Sequence, residues 1–496
     1  MGRRYSINTV IKILKEYTFI EKMNFCQKNA TSIMSSWKLE FVEKSNVVFP
    51  WELEIFVELS LFAEAPQAIK SVQADNGAEF IKIINTIRNY NHPSLKKKEN
   101  IDFVNSLIMV MGLQQFKAQE NILERLYRYS YFWGFYNDKI NMPQTFLDNF
   151  NGIKYSEFRE LAVLIYFYAS LKSSTADIIR YFVLKSKPIV DYLKISRSDY
   201  KIKQRDKIDD NYENVIYGFN YLHPFPFIEF QDVYFLPLPY LIVDAVTDSL
   251  LTRVTYNNDS LREKIGKEVA QSYIESIFRE TSRYEEVLPE IEYYVGKNKF
   301  DTPDVLIKKD NNFCLIDTKL STPKLDIRNF NKQSIEKTIS QYAKYTIQVY
   351  KRVKDFCDGL VYPFLKKIEI DLNNVFGIVA LLEDSFIMRQ QIYDKVFREL
   401  KIDENSEEAN YIKAHIKITS FRDLELFAFR SFDIFVALKA KALNSRDWND
   451  LGLYNAQLYT NAEIKRLPSL DAFIKLNQSA IMDSINELVD NGIIQR

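Results

Sequence analysis

The sequence predicts an α/β protein in which a mixed central sheet is flanked by helices and follows a large, mostly α-helical N-terminal region. The first observation is a pair of short apolar runs at residues 305–316, separated by a polar turn, which is typical of a β-hairpin. The second is the almost purely apolar run at 375–382, which suits a strand buried on both faces. The third is the recurrence of apolar residues at helical spacing through about the first 205 residues.

These patterns divide the chain into three predicted parts. Residues 1–210 form a mostly helical domain, 211–440 contain the central sheet, and 441–496 form a helical extension. A charged, irregular stretch at about 190–215 marks the first boundary. Within the helical domain, Pro50 followed closely by an acidic residue predicts a helix start.

Composition restricts the class of protein. With 496 residues, 47% of them hydrophobic and 27% charged, the chain is globular and long enough for two or three domains. Its formal net charge is zero, so contact with nucleic acid would have to come from a local basic patch. Three scattered cysteines favour a reduced, cytoplasmic protein. No apolar run approaches the ~20 residues that span a bilayer, so we expect no membrane partner.

The histidine pattern limits the chemistry further. His92, His223 and His415 are isolated from one another and from any paired cysteines, which argues against a zinc site. A metal in this protein would therefore be held by oxygen ligands, as Mg²⁺ or Mn²⁺ is. No serine, cysteine or histidine nucleophile has the supporting residues that covalent catalysis requires.

The middle of the chain supplies the elements that surround the central hairpin. Between about Ser260 and Thr281, apolar residues at helical spacing define a buried helix face, and Glu268 lies at its edge. The stretch Glu290 to Val295 predicts the strand directly before the hairpin. Further predictions are a hairpin at 224–237, a strand at 415–419, and helices at 238–255, 386–400, 432–443 and 473–489.

The central hairpin carries the chemistry. Because side chains alternate along a strand, Asp317 and Lys319 lie on one side of the second strand, and Thr318 lies on the other. Apolar residues on both faces place this strand in the middle of a sheet. Asp304 begins the first strand at the same end of the hairpin. Two carboxylates and a lysine gathered there predict a metal site for phosphodiester chemistry, because buried charges need compensation.

Pro303-Asp304 and Asp317-Thr318-Lys319 resemble the two halves of the motif that names the PD-(D/E)XK nuclease superfamily, which has the restriction-endonuclease-like fold. The motif is short and occurs by chance in long chains. Its context here also resembles the family, in which a helix with a metal-binding glutamate comes first, then strands, then a helix across the sheet. The resemblance covers about residues 220–385, with 440 as its furthest extent, and it does not reach the first two hundred residues.

The resemblance implies roles for individual residues. Glu268, Asp304 and Asp317, with the backbone carbonyl of Thr318, would bind one or two Mg²⁺ or Mn²⁺ ions. Lys319 would orient or help to deprotonate the attacking water and would stabilise negative charge. The alternative for Glu268 is a solvated helix residue paired with Lys264, four positions earlier.

The chain after the hairpin is basic. Lys324, Arg328 and Lys344 belong to a run with little opposing charge, which is the electrostatic footprint of a polyanionic substrate. Gln341 and Tyr342 resemble the glutamine-containing helix that holds the substrate backbone in several branches of the superfamily. The alternatives are a lysine-rich helix that is merely soluble, and a packing tyrosine beside an exposed glutamine.

The function predicted from these residues and from the resemblance is Mg²⁺-dependent endonucleolytic cleavage of DNA, in preference to RNA, in a prokaryotic restriction or antiviral defence system. The helical N-terminal region would then serve recognition, regulation, or binding to a protein partner or a second copy of the chain. Two alternatives stay open: a catalytically silent nuclease-like binding module, and an endonuclease subunit of transposition or recombination. Asp317 and Lys319 could also form no more than a surface ion pair.

Overall fold

The computed structural model describes residues 6–35, 48–63, 70–71, 77–89, 109, 112–113, 120–171, 176–205, 220–323, 327, 331–361, 363, 370–430, 432–442 and 466–494. Within these ranges the protein is a mixed α/β structure whose sheets are flanked by helices, which confirms the predicted class. Among the described residues, no helix is both long enough and apolar enough to cross a bilayer.

The described part of the chain before residue 206 is mostly helical, as predicted. Its helices are α1 Ile7–Leu14, α2 Phe19–Ser35, α3 Pro50–Phe62, α4 Ala78–Arg88, α5 Ile122–Gly134, α6 Met142–Asn149, α7 Tyr155–Ser170, α8 Ala176–Lys185, α9 Lys187–Leu193 and α10 Arg197–Arg205. The α3 helix begins at Pro50, whose missing N–H costs nothing in the first turn. Residues 103–112 also have apolar residues at helical spacing, but nearly all of them lie outside the described residues.

The remaining helices surround the sheet or close the chain. They are α11 Leu241–Val246, α12 Asp248–Thr255, α13 Asp259–Lys264, α14 Gln271–Glu280, α15 Lys332–Cys357, α16 Arg389–Leu400, α17 Glu407–His415, α18 Phe421–Phe429, α19 Ile434–Ala442 and α20 Pro468–Asp490, with a 3₁₀ turn at Leu372–Asn374. A π-helical turn, Ile265–Ala270, joins α13 to α14. The helix predicted from Ser260 to Thr281 is therefore continuous but locally widened. Such π turns are frequent at functional sites.

The central sheet has five described strands, which are β4 Glu286–Pro289, β7 Val305–Lys309, β8 Asn312–Lys319, β9 Val375–Leu381 and β10 Ile416–Ser420. Their spatial order is β10–β9–β8–β7–β4. β4, β7 and β8 form an antiparallel meander, and β9 and β10 add to it in parallel with β8. The prediction that the second strand of the hairpin is central is confirmed.

Alternation along β8 separates the two faces of the sheet. Phe313 and Leu315 pack into a core beneath α15, α16 and α17. Cys314 and Ile316 pack on the opposite face, against apolar residues of α14 and α18. The alternation predicted for this strand is confirmed, and it places Asp317 on the face covered by α15.

The strand predicted at Glu290–Val295 is wrong in detail. The strand that pairs with β7 is β4, and β5 (Glu292–Val295) instead forms a separate two-stranded hairpin with β6 (Asn298–Asp301). Two residues separate β4 from β5, whereas three residues separate β6 from β7. The segment between β6 and β7 therefore has one residue more than the segment that it faces, which is a β-bulge. The bulge contains Pro303, which has no N–H to contribute to a ladder.

A second small sheet joins the two sides of the predicted boundary at residue 210. β1 (Lys194–Ser196) runs parallel to β2 (Phe227–Phe230), which pairs with β3 (Val233–Phe235) in the predicted hairpin. The C-terminal helix α20 also packs on the N-terminal helices, where Ser484 Oγ lies 2.9 Å from the hydroxyl of Tyr168. The three parts of the chain therefore share packing surfaces.

A close approach between α15 and the sheet requires a glycine in β9. A methyl group at Gly377 would lie 2.5 Å from Val349 Cγ1 and 2.9 Å from Ile416 Cδ1. We expect Gly377→Ala to lower the free energy of unfolding by about 1–3 kcal/mol, the usual cost of overpacking a core. Urea unfolding monitored by circular dichroism would measure it. Gly134→Ala is the matched control, because among the described residues no atom beyond its own stretch of helix lies within 4 Å of the added methyl group.

Candidate functional site

Asp304 and Asp317 meet at one end of the β7–β8 hairpin. Val305 pairs with Ile316, so continuing the register by one residue places the two aspartates opposite each other. Directly opposite residues have Cβ atoms about 4.5–5.5 Å apart on the same face of the sheet. The structure therefore brings together the two carboxylates that the sequence analysis grouped.

Asp304 is held in place by the next strand. One of its carboxylate oxygens, Oδ2, accepts a hydrogen bond of 2.6 Å from the backbone N–H of Thr318 and another from the Thr318 hydroxyl. The Gln271 amide of α14 donates to the Asp304 carbonyl at 3.1 Å. Burial and the nearby charge of Asp317 raise the pKa of Asp304 to about 7, although the Thr318 hydrogen bonds oppose the change. In this structure Thr318 thus orients a carboxylate through its N–H and hydroxyl.

Asp317 forms a buried ion pair with Lys319. The residue is 5% exposed, and its Oδ2 lies 2.7 Å from Lys319 Nζ. Burial raises the pKa of Asp317 even though the Lys319 charge acts against it. Burial would lower the pKa of Lys319, but the Asp317 carboxylate outweighs it and the pKa is raised, so the ammonium stays charged. The pair is therefore not a surface ion pair, and its desolvation has to be compensated.

The Glu268 side chain contacts the N-terminal helical region instead of the two aspartates. It accepts a hydrogen bond of 3.0 Å from the Asn137 amide, and its other oxygen lies 3.0 Å from Lys139 Nζ. Both partners belong to the loop between α5 and α6. The ion pair with Lys264 that was the alternative is replaced by the one with Lys139. The sequence around Glu268 carries no signal for this contact, because the partners lie about 130 positions away.

The α15 helix covers the lysine end of the site. The Lys319 ammonium lies 5.1 Å from the centre of the Tyr345 ring, which is within the range of a cation–π contact. Gln341 Nε2 donates to the Tyr345 hydroxyl at 2.5 Å. Gln341, a predicted substrate-binding residue, is thus linked to Lys319 through Tyr345, which the sequence analysis did not single out.

The other predicted substrate-binding residues have different locations. Tyr342 is fully buried, and its hydroxyl lies 2.8 Å from Ser385 Oγ, so it is a core residue as the packing alternative held. Lys344 is exposed on α15. Lys324 and Arg328 lie outside the described residues. An open depression of about 400 Å³ runs along α15 and is lined by Gln333, Glu336, Lys337, Ser340, Gln341 and Lys344.

Two charged residues near the aspartates were missed by sequence analysis. Arg352 of α15 packs its guanidinium 4.8 Å from the centre of the Phe300 ring in β6, and its positive charge acts on Asp317. Glu290 follows β4, and burial together with the charges of Asp301 and Asp317 raises its pKa against the opposing charge of Lys267. Glu290 lies near the aspartates because of the register between β4 and β7. The sequence alone does not predict that register.

The donor chemistry fits a hard divalent ion. Two buried carboxylates side by side keep their negative charge most readily when a cation lies next to them. Within the ranges that the structure describes, no three His, Cys, Asp or Glu side chains are arranged to hold a metal ion. The site thus offers two carboxylates and not a closed cage, which is the usual way in which proteins bind Mg²⁺.

Comparison of the chain with protein-family models, with curated proteins and with solved structures found no match.

Proposed function

We propose that this protein is a Mg²⁺- or Mn²⁺-dependent endonuclease of the PD-(D/E)XK type that hydrolyses phosphodiester bonds in DNA. One observation carries the proposal: two buried aspartates and a charged lysine lie together at one end of two central strands. A purely structural role does not explain why such a costly group of charges is buried there.

The order of elements gives further support. A helix (α13 to α14), an antiparallel meander (β4, β7, β8), a crossing helix (α15) and a parallel strand (β9) follow one another along the chain. This is the order expected for a restriction-endonuclease-like core. The role in antiviral defence and the preference for DNA over RNA rest on the resemblance alone, and they stay predictions.

The protein's own residues have separate tasks in the proposed reaction. A divalent ion bound by Asp304 and Asp317 would activate a water molecule and neutralise charge on the phosphate. The water oxygen would form a bond to phosphorus as the bond from phosphorus to the leaving oxygen breaks. The proton of the attacking water would pass to solvent, and the leaving oxygen would take up a proton from solvent. Lys319, which stays protonated, would donate hydrogen bonds to the phosphate oxygen on which charge develops. Thr318 keeps Asp304 aimed at the site.

The direct test is cleavage by the purified full-length protein. Plasmid DNA, linear duplex DNA, single-stranded DNA and RNA would be incubated with Mg²⁺, Mn²⁺ or EDTA and analysed on gels. We expect internal cuts in DNA that require the divalent ion and stop with EDTA. Binding without cleavage under every condition would instead favour the silent binding module.

The residues of α15 that line the open depression are expected to contact the phosphates of the substrate. Lys337 and Lys344 line the depression that contains Gln341, which is linked to the site through Tyr345. We expect the double variant Lys337→Ala/Lys344→Ala to weaken DNA binding for all sequences. It should also reduce the slope of log K against log salt concentration by about 2, because two phosphate contacts are lost.

Fluorescence anisotropy at several salt concentrations, with Ca²⁺ in place of Mg²⁺, would measure that slope. Lys475→Ala is the control, since Lys475 is an exposed lysine of the C-terminal helix α20 and should leave the slope unchanged. An equal slope in the double variant and in the control would show that this face of α15 does not contact the phosphates.

A further inference from the structure

Glu290 lies at the same end of the central sheet as the two aspartates. Pro289 of β4 pairs with Val305 of β7, so continuing the register by one residue places Glu290 beside Asp304. The same step on the other side of β7 places Asp304 beside Asp317. Three carboxylates therefore stand in a row at the ends of three neighbouring strands.

The Glu290 carboxylate lies within reach of the Asp317–Lys319 ion pair, because the charges of both residues act on it. The strands beneath the three carboxylates carry Leu288, Leu306 and Leu315, which all belong to the core beneath α15. Glu290 and Asp304 themselves lie one residue beyond the ends of β4 and β7. The bulge at Pro303 lies between Glu290's strand and Asp304, and bulges are known to re-aim side chains next to active sites.

The Glu290 carboxylate is held loosely, whereas that of Glu268 is held firmly. Within the described part of the chain, the only ionic contact of Glu290 is with Lys267 Nζ at 3.9 Å, and its side chain is 21% exposed. Glu268 has two partners at 3.0 Å, one of them a direct hydrogen bond. Turning Glu290 toward the aspartates breaks one weak contact, but moving Glu268 there breaks two stronger ones.

We propose that Glu290, and not Glu268, supplies the third carboxylate that binds the divalent ion with Asp304 and Asp317. The inference rests on the proposed function, whose site it completes. The side chain of Glu290 turns from Lys267 toward the ion when the ion binds. Glu268 instead fixes the π-helical turn to the loop between α5 and α6 and has a positioning role.

The test is Mn²⁺ binding to the full-length protein, measured without substrate by electron paramagnetic resonance of free Mn²⁺. Glu290→Gln is nearly isosteric and removes one charged ligand. We expect it to weaken Mn²⁺ binding by at least the roughly 10–100-fold that changes around a metal's ligands cost. Glu268→Gln is the matched control and should bind Mn²⁺ within about twofold of the unaltered protein. Glu290→Ala is the second variant if Glu290→Gln does not fold.

The outcomes separate this inference from the proposed function. Unaltered Mn²⁺ affinity in Glu290→Gln overturns the inference, whatever the affinity of Glu268→Gln. Weakening of similar size in both variants overturns the exclusion of Glu268 as a ligand. If Asp317→Asn also binds Mn²⁺ like the unaltered protein, the metal site itself is absent and the proposed function fails with it.

Discussion

Asp317→Asn is expected to reduce the rate of Mg²⁺-dependent DNA cleavage by about 10³-fold or more. The change removes one of the two carboxylates that would bind the ion. A bound metal stabilises the charge of the transition state by several kcal/mol, and losing that stabilisation corresponds to a rate loss of about 10³-fold. The substituted side chain has nearly the same shape, so the packing beneath α15 should persist. Single-turnover cleavage of a labelled plasmid would measure the rate.

The control for Asp317→Asn is the same change at the opposite end of the hairpin. Asp310 lies in the turn between β7 and β8 with a φ of 52°, a conformation that asparagine also adopts readily. Asp310→Asn should cleave at the unaltered rate. Equal rates in the two variants would exclude Asp317 from catalysis, and cleavage that persists in EDTA would point to a contaminating nuclease.

Lys319→Ala separates metal binding from charge stabilisation at the same site. Because Lys319 stays protonated beside Asp317, its loss should remove a hydrogen-bond donor without removing a metal ligand. A loss of about 10²–10³-fold in rate, with Mn²⁺ affinity kept, is the pattern expected for a group that stabilises developing charge.

The parts of the fold that were predictable are those specified by local patterns. The alternation in β8 predicted both its central position and the faces of Leu315 and Ile316, because each face packs on a separate core. The apolar run of β9 identified a buried strand for the same reason. The antiparallel pairing of β7 with β8 followed from the short turn between them.

The parts that were not predictable depend on contacts between distant segments. The bulge at Pro303 changes the strand register by one residue, and no pattern in the preceding residues predicts that change. The partners of Glu268 come from a loop about 130 positions earlier. Buried Tyr342 and half-buried Gln341 are sequence neighbours, and only the packing of α15 decides which of them faces the core.

Arg128→Met is expected to lower the free energy of unfolding of the whole protein by about 3–5 kcal/mol. Arg128 in α5 forms two hydrogen bonds, of 2.5 and 2.6 Å, with Glu425 in α18, and both residues are 2% exposed. Removing the arginine leaves a buried carboxylate without its main counter-charge, which typically costs this much. The Glu425 carboxylate still accepts a hydrogen bond of 2.7 Å from the Tyr273 hydroxyl, but that donor carries no charge. Urea unfolding would measure the change.

Arg128 and Glu425 are 297 positions apart in the sequence and link α5 to α18. Loss of this ion pair therefore tests whether the N-terminal helical region and the sheet unfold together. If they do, Arg128→Met lowers the midpoint of a single transition, and Arg128→Met/Glu425→Gln recovers part of the loss because Glu425 no longer carries an unpaired charge. Glu120, which also accepts a hydrogen bond of 2.6 Å from Arg128, keeps an ion pair with Arg125 at 3.7 Å. Lys187→Met is the control, since it breaks an exposed pair with Asp191 that contributes about 0–1 kcal/mol. The free energy of unfolding could instead fall by no more than it does in the control, or the N-terminal helices could unfold in an earlier transition of their own. Either result would mean that the N-terminal helical region folds independently of the site. The contact of Glu268 with the α5–α6 loop would then form only after both have folded.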